Sequence, residues 1–171
     1  HRDLKPQNMI INRQGALKIM DFGLAVRVQR SAQSLQRLVV GGAESQSVDL
    51  PETCGIAGTP PYMSPEQFDG GLLDIRTDIY AVGVILYEML TGEVPFVDRD
   101  MSALVRRVHD EAPMPPSHIR NGVPAALDAI VLRALAKQRD QRFANAEELA
   151  QRLSEVSTSS GQNDVTITDS V

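Results

Sequence analysis

The 171-residue chain sets 22 acidic against 17 basic side chains, a net charge of −5, and its isoelectric point near 5.2 argues against nucleic acid as a partner and against a basic membrane-surface patch. Its 42% hydrophobic and 23% charged residues fit one globular domain with a core to bury. A single cysteine, Cys54, excludes an internal disulfide and suits a reducing compartment.

The chain opens on the polar stretch HRDLKPQN, residues 1–8. Residues 9–20, MIINRQGALKIM, are rich in Ile and Leu, with Gly15 at a turn and alternation through Leu17, Lys18 and Ile19, which predicts a β-hairpin. A two-residue turn at Gln14 and Gly15 sets Asn8 opposite Asp21, and a slip of one residue keeps the two close. Between Gly23 and Gly58 lies a long polar segment with arginines early and acids late. Val28, Leu35, Leu38 and Val39 permit a short amphipathic helix there, but segments this long inside a domain are usually functional or disordered, and disorder is expected here.

Four helices are predicted after it. Asp78 to Leu90 is apolar all round, as a central helix must be, and Gly92 stops it. Its longest apolar run, Ile79 to Leu90, is about 12 residues, too short to span a bilayer. Ser102 to Asp110 carries alternating charge and reads as more exposed. Residues 124–136, PAALDAIVLRALA, place Pro124 in a first helical turn. In residues 145–156, NAEELAQRLSEV, Asn145 stands as N-cap with Glu148 three residues on, a capping-box pattern. The polar residues from Ser157 onward are expected to be a disordered tail. His109 and His118 have no acid or cysteine at metal-ligand spacing and read as surface residues. Cys54 is expected to be a bystander thiol, with oxidation the alternative.

The chemistry sits in three short motifs. His1, Arg2, Asp3, Leu4 and Asn8 fit H-R-D-L-x-x-x-N, Asp21-Phe22-Gly23 follows, and Ser64-Pro65-Glu66 stands where A-P-E is usual in protein kinases. With GTPPYMSPEQ and DIYAVGVILYEMLTGEVPF, the chain resembles the C-terminal lobe of a eukaryotic-type serine/threonine protein kinase of the bacterial branch. The likeness covers residues 1–153, followed by a polar tail, residues 154–171. It implies a mainly α fold with a small β-hairpin at the active face. A Gly-rich loop, a V-A-I-K-type lysine and its helix glutamate find no match here. The resemblance therefore implies a missing N-terminal lobe of the same chain, and a fragment expected to be inactive alone.

What the resemblance implies for individual residues can be set beside plainer readings. Asp3 is expected to be the catalytic base, against an aspartate that merely caps a turn. Lys5 would neutralise the γ-phosphate of ATP, as in kinases acting on Ser and Thr. Asn8 and Asp21 would hold Mg²⁺, which prefers hard oxygen ligands and phosphate bridges. Thr59 is expected to contact Asp3 and Lys5 and to help define a Ser/Thr acceptor site, or else to be a turn residue before two prolines. His1 and Phe22 are expected to pack inside as a structural pair, with Gly23 giving the backbone freedom. Glu66 and Arg142 would form a buried ion pair, and Asp78 would accept hydrogen bonds from the catalytic-loop backbone or serve as a helix N-cap. Arg2 is placed to pair with a phosphate on Thr53; Ser45 and Ser47 are further candidates.

The function expected is transfer of the ATP γ-phosphate to Ser/Thr hydroxyls of protein substrates in the cytoplasm. The rival from another class is a non-catalytic docking or scaffold lobe. Against that rival, Asp3, Lys5, Asn8 and Asp21 are all intact. Sequence does not settle membrane anchoring. A lobe without its preceding helices is also expected to expose part of the Ile79 to Leu90 surface.

Overall fold

Alternation through residues 9–19 builds a two-stranded antiparallel sheet, β1 (Met9–Ile11) against β2 (Leu17–Ile19). The computed structural model describes residues 1–22 and 59–160; Gly23, Ser45, Ser47, Thr53, Cys54 and the tail from residue 161 lie outside the described residues. Met9 pairs with Ile19, Ile10 with Lys18 and Ile11 with Leu17, one residue away from the register a Gln14-Gly15 turn dictates. The cause is Asn12. Its Oδ1 accepts from the backbone nitrogens of Gln14 at 3.0 Å and Ala16 at 2.8 Å, and its own nitrogen donates to Ala16 O at 3.0 Å. The loop therefore runs from Arg13 to Gly15, and Gly15 takes φ +79°, a left-handed conformation that a Cβ resists. Asn8 faces Met20, whose nitrogen donates to Asn8 O at 2.8 Å, and Asp21 follows one step further on.

The helices are α1 (Pro65–Phe68), α2 (Ile75–Thr91), α3 (Met101–Asp110), α4 (Pro116–Ile119), α5 (Ala125–Ala134) and α6 (Ala146–Ser160). Helix α2 starts ahead of Asp78 because Asp74 is its N-cap, accepting from Arg76 N at 2.8 Å and so satisfying one of the first-turn donors. It stops at Gly92, φ +86°, whose nitrogen donates to Glu88 O at 2.8 Å. Pro124 is the N-cap of α5 rather than a residue of its first turn. Before α6, Asn145 Oδ1 accepts from Glu148 N at 2.8 Å, while Glu148 Oε2 accepts from Ala144 N at 2.7 Å. That helix continues to Ser160, beyond both Val156 and residue 153.

Helix α2 is central. It packs on α4, α5 and the turn Pro60–Tyr62, while α1 meets α3 and α5 meets α6. One core cluster joins Leu4, Tyr62, Tyr80, Val84, Phe96 and Leu135; a second joins Ile79, Ile130, Ala134, Phe143 and Leu149. Both draw on α2, which explains why its sequence lacks a polar face. Across Ile79 to Leu90, the stretch expected to be exposed in part, Ile79, Tyr80, Ala81, Val84, Ile85 and Tyr87 are buried, and Met89 is exposed. Exposed apolar side chains gather instead on the hairpin, at Ile10, Ile11, Leu17 and Ile19. Among the described residues no helix is long and apolar enough to cross a membrane.

Candidate active site

Residues 1–8 lie across the start of α2, held by backbone bonds to side chains far along the chain. Asp78, in the first turn of α2, accepts from His1 N through Oδ2 and from Arg2 N through Oδ1, each at 2.9 Å. It thus caps the loop and not its own helix, a task that falls to Asp74. Arg2 adopts φ +70° and Asp21 φ +59°, conformations uncommon for residues with a side chain and concentrated at functional sites. The turn Pro6–Asn8 closes with Asn8 N donating to Lys5 O at 3.0 Å.

On this frame Asp3, Lys5, Asn8 and Thr59 form one polar network. Lys5 Nζ lies 2.8 Å from Asp3 Oδ2 and donates to Thr59 Oγ1, also at 2.8 Å. Thr59 reaches Asp3 through Lys5. Asn8, buried, donates from Nδ2 to Asp3 O at 2.8 Å and to Asp3 Oδ2 at 3.3 Å. These bonds fix the Asp3 carboxylate with its side chain 14% exposed, sheltered but reachable. They also leave Asn8 Oδ1 as a neutral oxygen ligand at the same end of the hairpin as the exposed carboxylate of Asp21. Among the described residues no cluster of three or more His, Cys, Asp or Glu could hold a metal ion. One amide and one carboxylate instead suit Mg²⁺, which keeps water and is shared with phosphate oxygens.

His1 and Phe22 meet with ring centroids 4.7 Å apart and planes 55° from parallel. The pair does not pack inside, however: Phe22 is 61% exposed, because none of the described residues covers its outer face. His1 Nε2 lies 2.9 Å from Met20 O, which ties the loop to the end of β2. His109 is half-buried, with Nε2 3.3 Å from Asp69 Oδ1. The expectation of a surface histidine fails there, because the acid partner is remote in sequence. His118 is exposed.

Glu66 and Arg142 lock α1 to the helical body. Arg142 Nη1 and Nη2 donate to Glu66 Oε1 and Oε2 at 2.8 and 2.9 Å, and Thr77 Oγ1 adds a bond of 2.9 Å to Oε1. The guanidinium, fully buried, also donates to Ala136 O, Arg76 O and Lys137 O and lies 5.0 Å from the Tyr80 ring centroid. Burial alone would push the Glu66 carboxyl up, but the hydrogen bonds and charge of Arg142 outweigh it and hold the group below its ordinary value.

Three contributors carry no sequence signal of their own. Thr77 is one. Tyr62 is another: its hydroxyl donates to Glu88 Oε2 at 2.7 Å, and burial, then that bond, push it up to about 12. Gln67, the third, donates from Nε2 to Arg2 O at 2.8 Å. Each bond joins residues at least 11 apart, so no periodicity marks it.

A family model described as the protein kinase domain matches residues 1–153. The chain is 41% identical over 150 residues to the serine/threonine-protein kinase PknB of Mycobacterium leprae, covering 87% of this chain and 21% of that protein. It is 40% identical over 150 residues to PknB of Mycobacterium tuberculosis, with the same shares. Over 148 residues it is 40% identical to a probable serine/threonine-protein kinase PknB of Bifidobacterium longum, covering 86% of this chain and 19% of that protein. The chain thus spans about one fifth of the length of these relatives. With HRDLKPQN folded onto α2, Asp21 beside it and Glu66 locked to Arg142, the chain belongs to the protein kinase family, whose members use ATP and Mg²⁺.

Proposed function

We propose that this chain carries the acceptor-side and metal-binding half of a serine/threonine protein kinase, which moves the γ-phosphate of ATP to Ser/Thr hydroxyls of cytoplasmic proteins. The observation that supports it most is the Asp3, Lys5, Thr59 and Asn8 network. Asp3 takes the proton of the incoming hydroxyl as its oxygen bonds to phosphorus and the bond to the ADP oxygen breaks. Lys5, already beside the Asp3 carboxylate, sets a cation against charge on the transferring group. Thr59, bonded to Lys5, fixes where that ammonium points and lines the acceptor side. Asn8 and Asp21 would hold Mg²⁺ through their oxygens, and the metal would supply charge neutralisation there.

The test uses the intact protein containing this chain, ATP and a Ser/Thr peptide. Asp3→Asn, close in shape but unable to take the proton, is expected to slow transfer by roughly 10² to 10⁴-fold. An unchanged rate would refute Asp3 as the base, and no transfer in the wild type would favour a docking or scaffold role.

Arg2 supports a regulatory reading of the same site. Among the described residues its guanidinium has no hydrogen-bonding partner, although its backbone is pinned at both ends. A phosphate on Thr53 would bring about −1.5 to −2 charge and could form charge-assisted bonds to it. Mass spectrometry of active protein is expected to find Thr53 modified, and Thr53→Ala and Arg2→Ala to lower activity similarly. Full activity in Thr53→Ala removes this switch.

A further inference from the structure

Arg2 stands immediately before Asp3 in a left-handed conformation, φ +70°, which residues with a Cβ rarely adopt. Such a conformation persists only where its surroundings over-determine it. Two side chains do so here. Asp78 Oδ1 takes the Arg2 N–H at 2.9 Å, and Gln67 Nε2 donates to Arg2 O at 2.8 Å. They come from α2 and α1, on opposite sides of one peptide residue.

The Gln67 amide is not free to turn. Its Oε1 accepts from Ser64 N at 3.0 Å and from Ser64 Oγ at 3.2 Å, closing the capping box of α1. Because a backbone N–H only donates and a carbonyl only accepts, this network allows one orientation of the amide. Gln67 follows Glu66 directly, and Glu66 is fixed by the buried guanidinium of Arg142. Arg2, Asp3, Gln67 and Asp78 all line one small cleft of about 10 Å³, barely one water's worth.

We propose that Gln67 is a positioning residue, whose amide transmits the locked placement of α1 to the Arg2 carbonyl and thereby aims the Asp3 carboxylate. For its effect on turnover this rests on the kinase reading; the geometry of residues 1–5 can be tested without it. Glutamine differs here from any other residue of similar size. Glutamate keeps an oxygen for Ser64 but turns a second oxygen towards the Arg2 carbonyl. Methionine keeps the volume and bonds neither.

Gln67→Glu and Gln67→Met are made in the intact protein, with Ser64→Ala as a control that disturbs the cap but leaves the Arg2 bond. Amide hydrogen exchange is read at residues 1–5 and across α2. Both Gln67 variants are expected to exchange about tenfold faster or more at residues 1–5, the scale of one lost hydrogen bond, with α2 unchanged and Ser64→Ala close to wild type. In the transfer assay the same variants are expected to lose about 10- to 100-fold in kcat, as for a displaced catalytic group, with KM for ATP within about twofold.

Exchange at residues 1–5 indistinguishable from wild type in both variants overturns the proposal, whatever the activity. So does acceleration spread equally over α2, which marks general loosening. Full kcat with accelerated exchange refutes the aiming of Asp3. Absence of Asp3-dependent transfer in the wild type sinks the kinase reading, and the exchange result still decides whether Gln67 holds the loop.

Discussion

Arg142→Ala is the sharpest perturbation of the helical body. The side chain is wholly buried and makes two bonds to Glu66 and three to the carbonyls of Ala136, Arg76 and Lys137. Truncation strands the Glu66 carboxylate and leaves those carbonyls short of a donor. Breaking one half of a buried pair costs about 3 to 5 kcal/mol, a large share of the roughly 5 to 15 kcal/mol that holds a domain. Arg142→Lys should recover little, since an ammonium cannot reproduce the guanidinium fork. Glu66→Leu with Arg142→Met should be far milder than the sum of the single changes, because neither charge is then stranded. Urea unfolding of wild type, Arg142→Ala, Arg142→Lys, Glu66→Leu, Arg142→Met and the double variant reads the result. Additive single and double effects, or a loss below about 1 kcal/mol for Arg142→Ala, refute the reasoning.

The same pair sets an acid limb. The Glu66 carboxyl is held below its ordinary value of 4.5, so its contribution is complete above that value. The contribution disappears as pH falls through the depressed native value, because the unfolded chain takes up the proton first. The stability gap between wild type and Glu66→Gln should therefore narrow on acidification below 4.5; a gap constant with pH counts against a charged pair.

Gly83 gives a further prediction: a Cβ there meets Ala134 Cβ at 2.8 Å, so Gly83→Ala should destabilise by about 1 to 3 kcal/mol despite alanine's better helix propensity, and a stabilised variant by thermal melting contradicts it. Lys137 gives another. Its Nζ donates to Val108 O at 2.6 Å and lies 4.1 Å from the Phe96 ring centroid, and burial pushes the amine down to about 8 from 10.5. The native state releases this proton before the unfolded chain does, so stability should rise with pH above about 8 and below 10.5. Denaturant midpoints at pH 8 and 10 should show that rise in wild type and lose it in Lys137→Met; equal slopes end the idea. Gly15→Ala, forced to φ +79°, should loosen the hairpin by about 1 kcal/mol, measured as faster exchange at Met9–Ile11; unchanged exchange there refutes it.

Local signals were legible from the sequence because their physics is local. The alternation of β2, the unbroken apolar character of α2, Gly92 as its stop and Asn145 as the α6 cap all depend on neighbours within one turn. The network of Asp3, Lys5 and Asn8 was legible as a motif, its partners being close in the chain. The errors arose where one side chain reached beyond its immediate neighbours or a nearby residue competed for the same role. Asn12 took two backbone donors and lengthened the hairpin loop, moving Asn8 opposite Met20. Asp74 took the N-cap of α2, so that helix begins ahead of Asp78. Gln67, reaching Arg2 from 65 residues away, belongs to no pattern of period 2 or 3.6.

The bonds that tie residues 1–5 to Thr59, α1 and α2 span large stretches of chain: 54 residues from Lys5 to Thr59, 65 from Arg2 to Gln67, 76 from Arg2 to Asp78 and 77 from His1 to Asp78. The contacts among α4, α5 and α6 close much shorter loops, and contacts that close long loops form late in folding. The expected order is therefore a helical body first and chemistry last. Pulse-labelled exchange during refolding would see α5 and α6 protected before residues 1–5, and the reverse order would refute it. A chain caught half-made would hold its carboxylate, its lysine and its asparagine with nothing yet to arrange them.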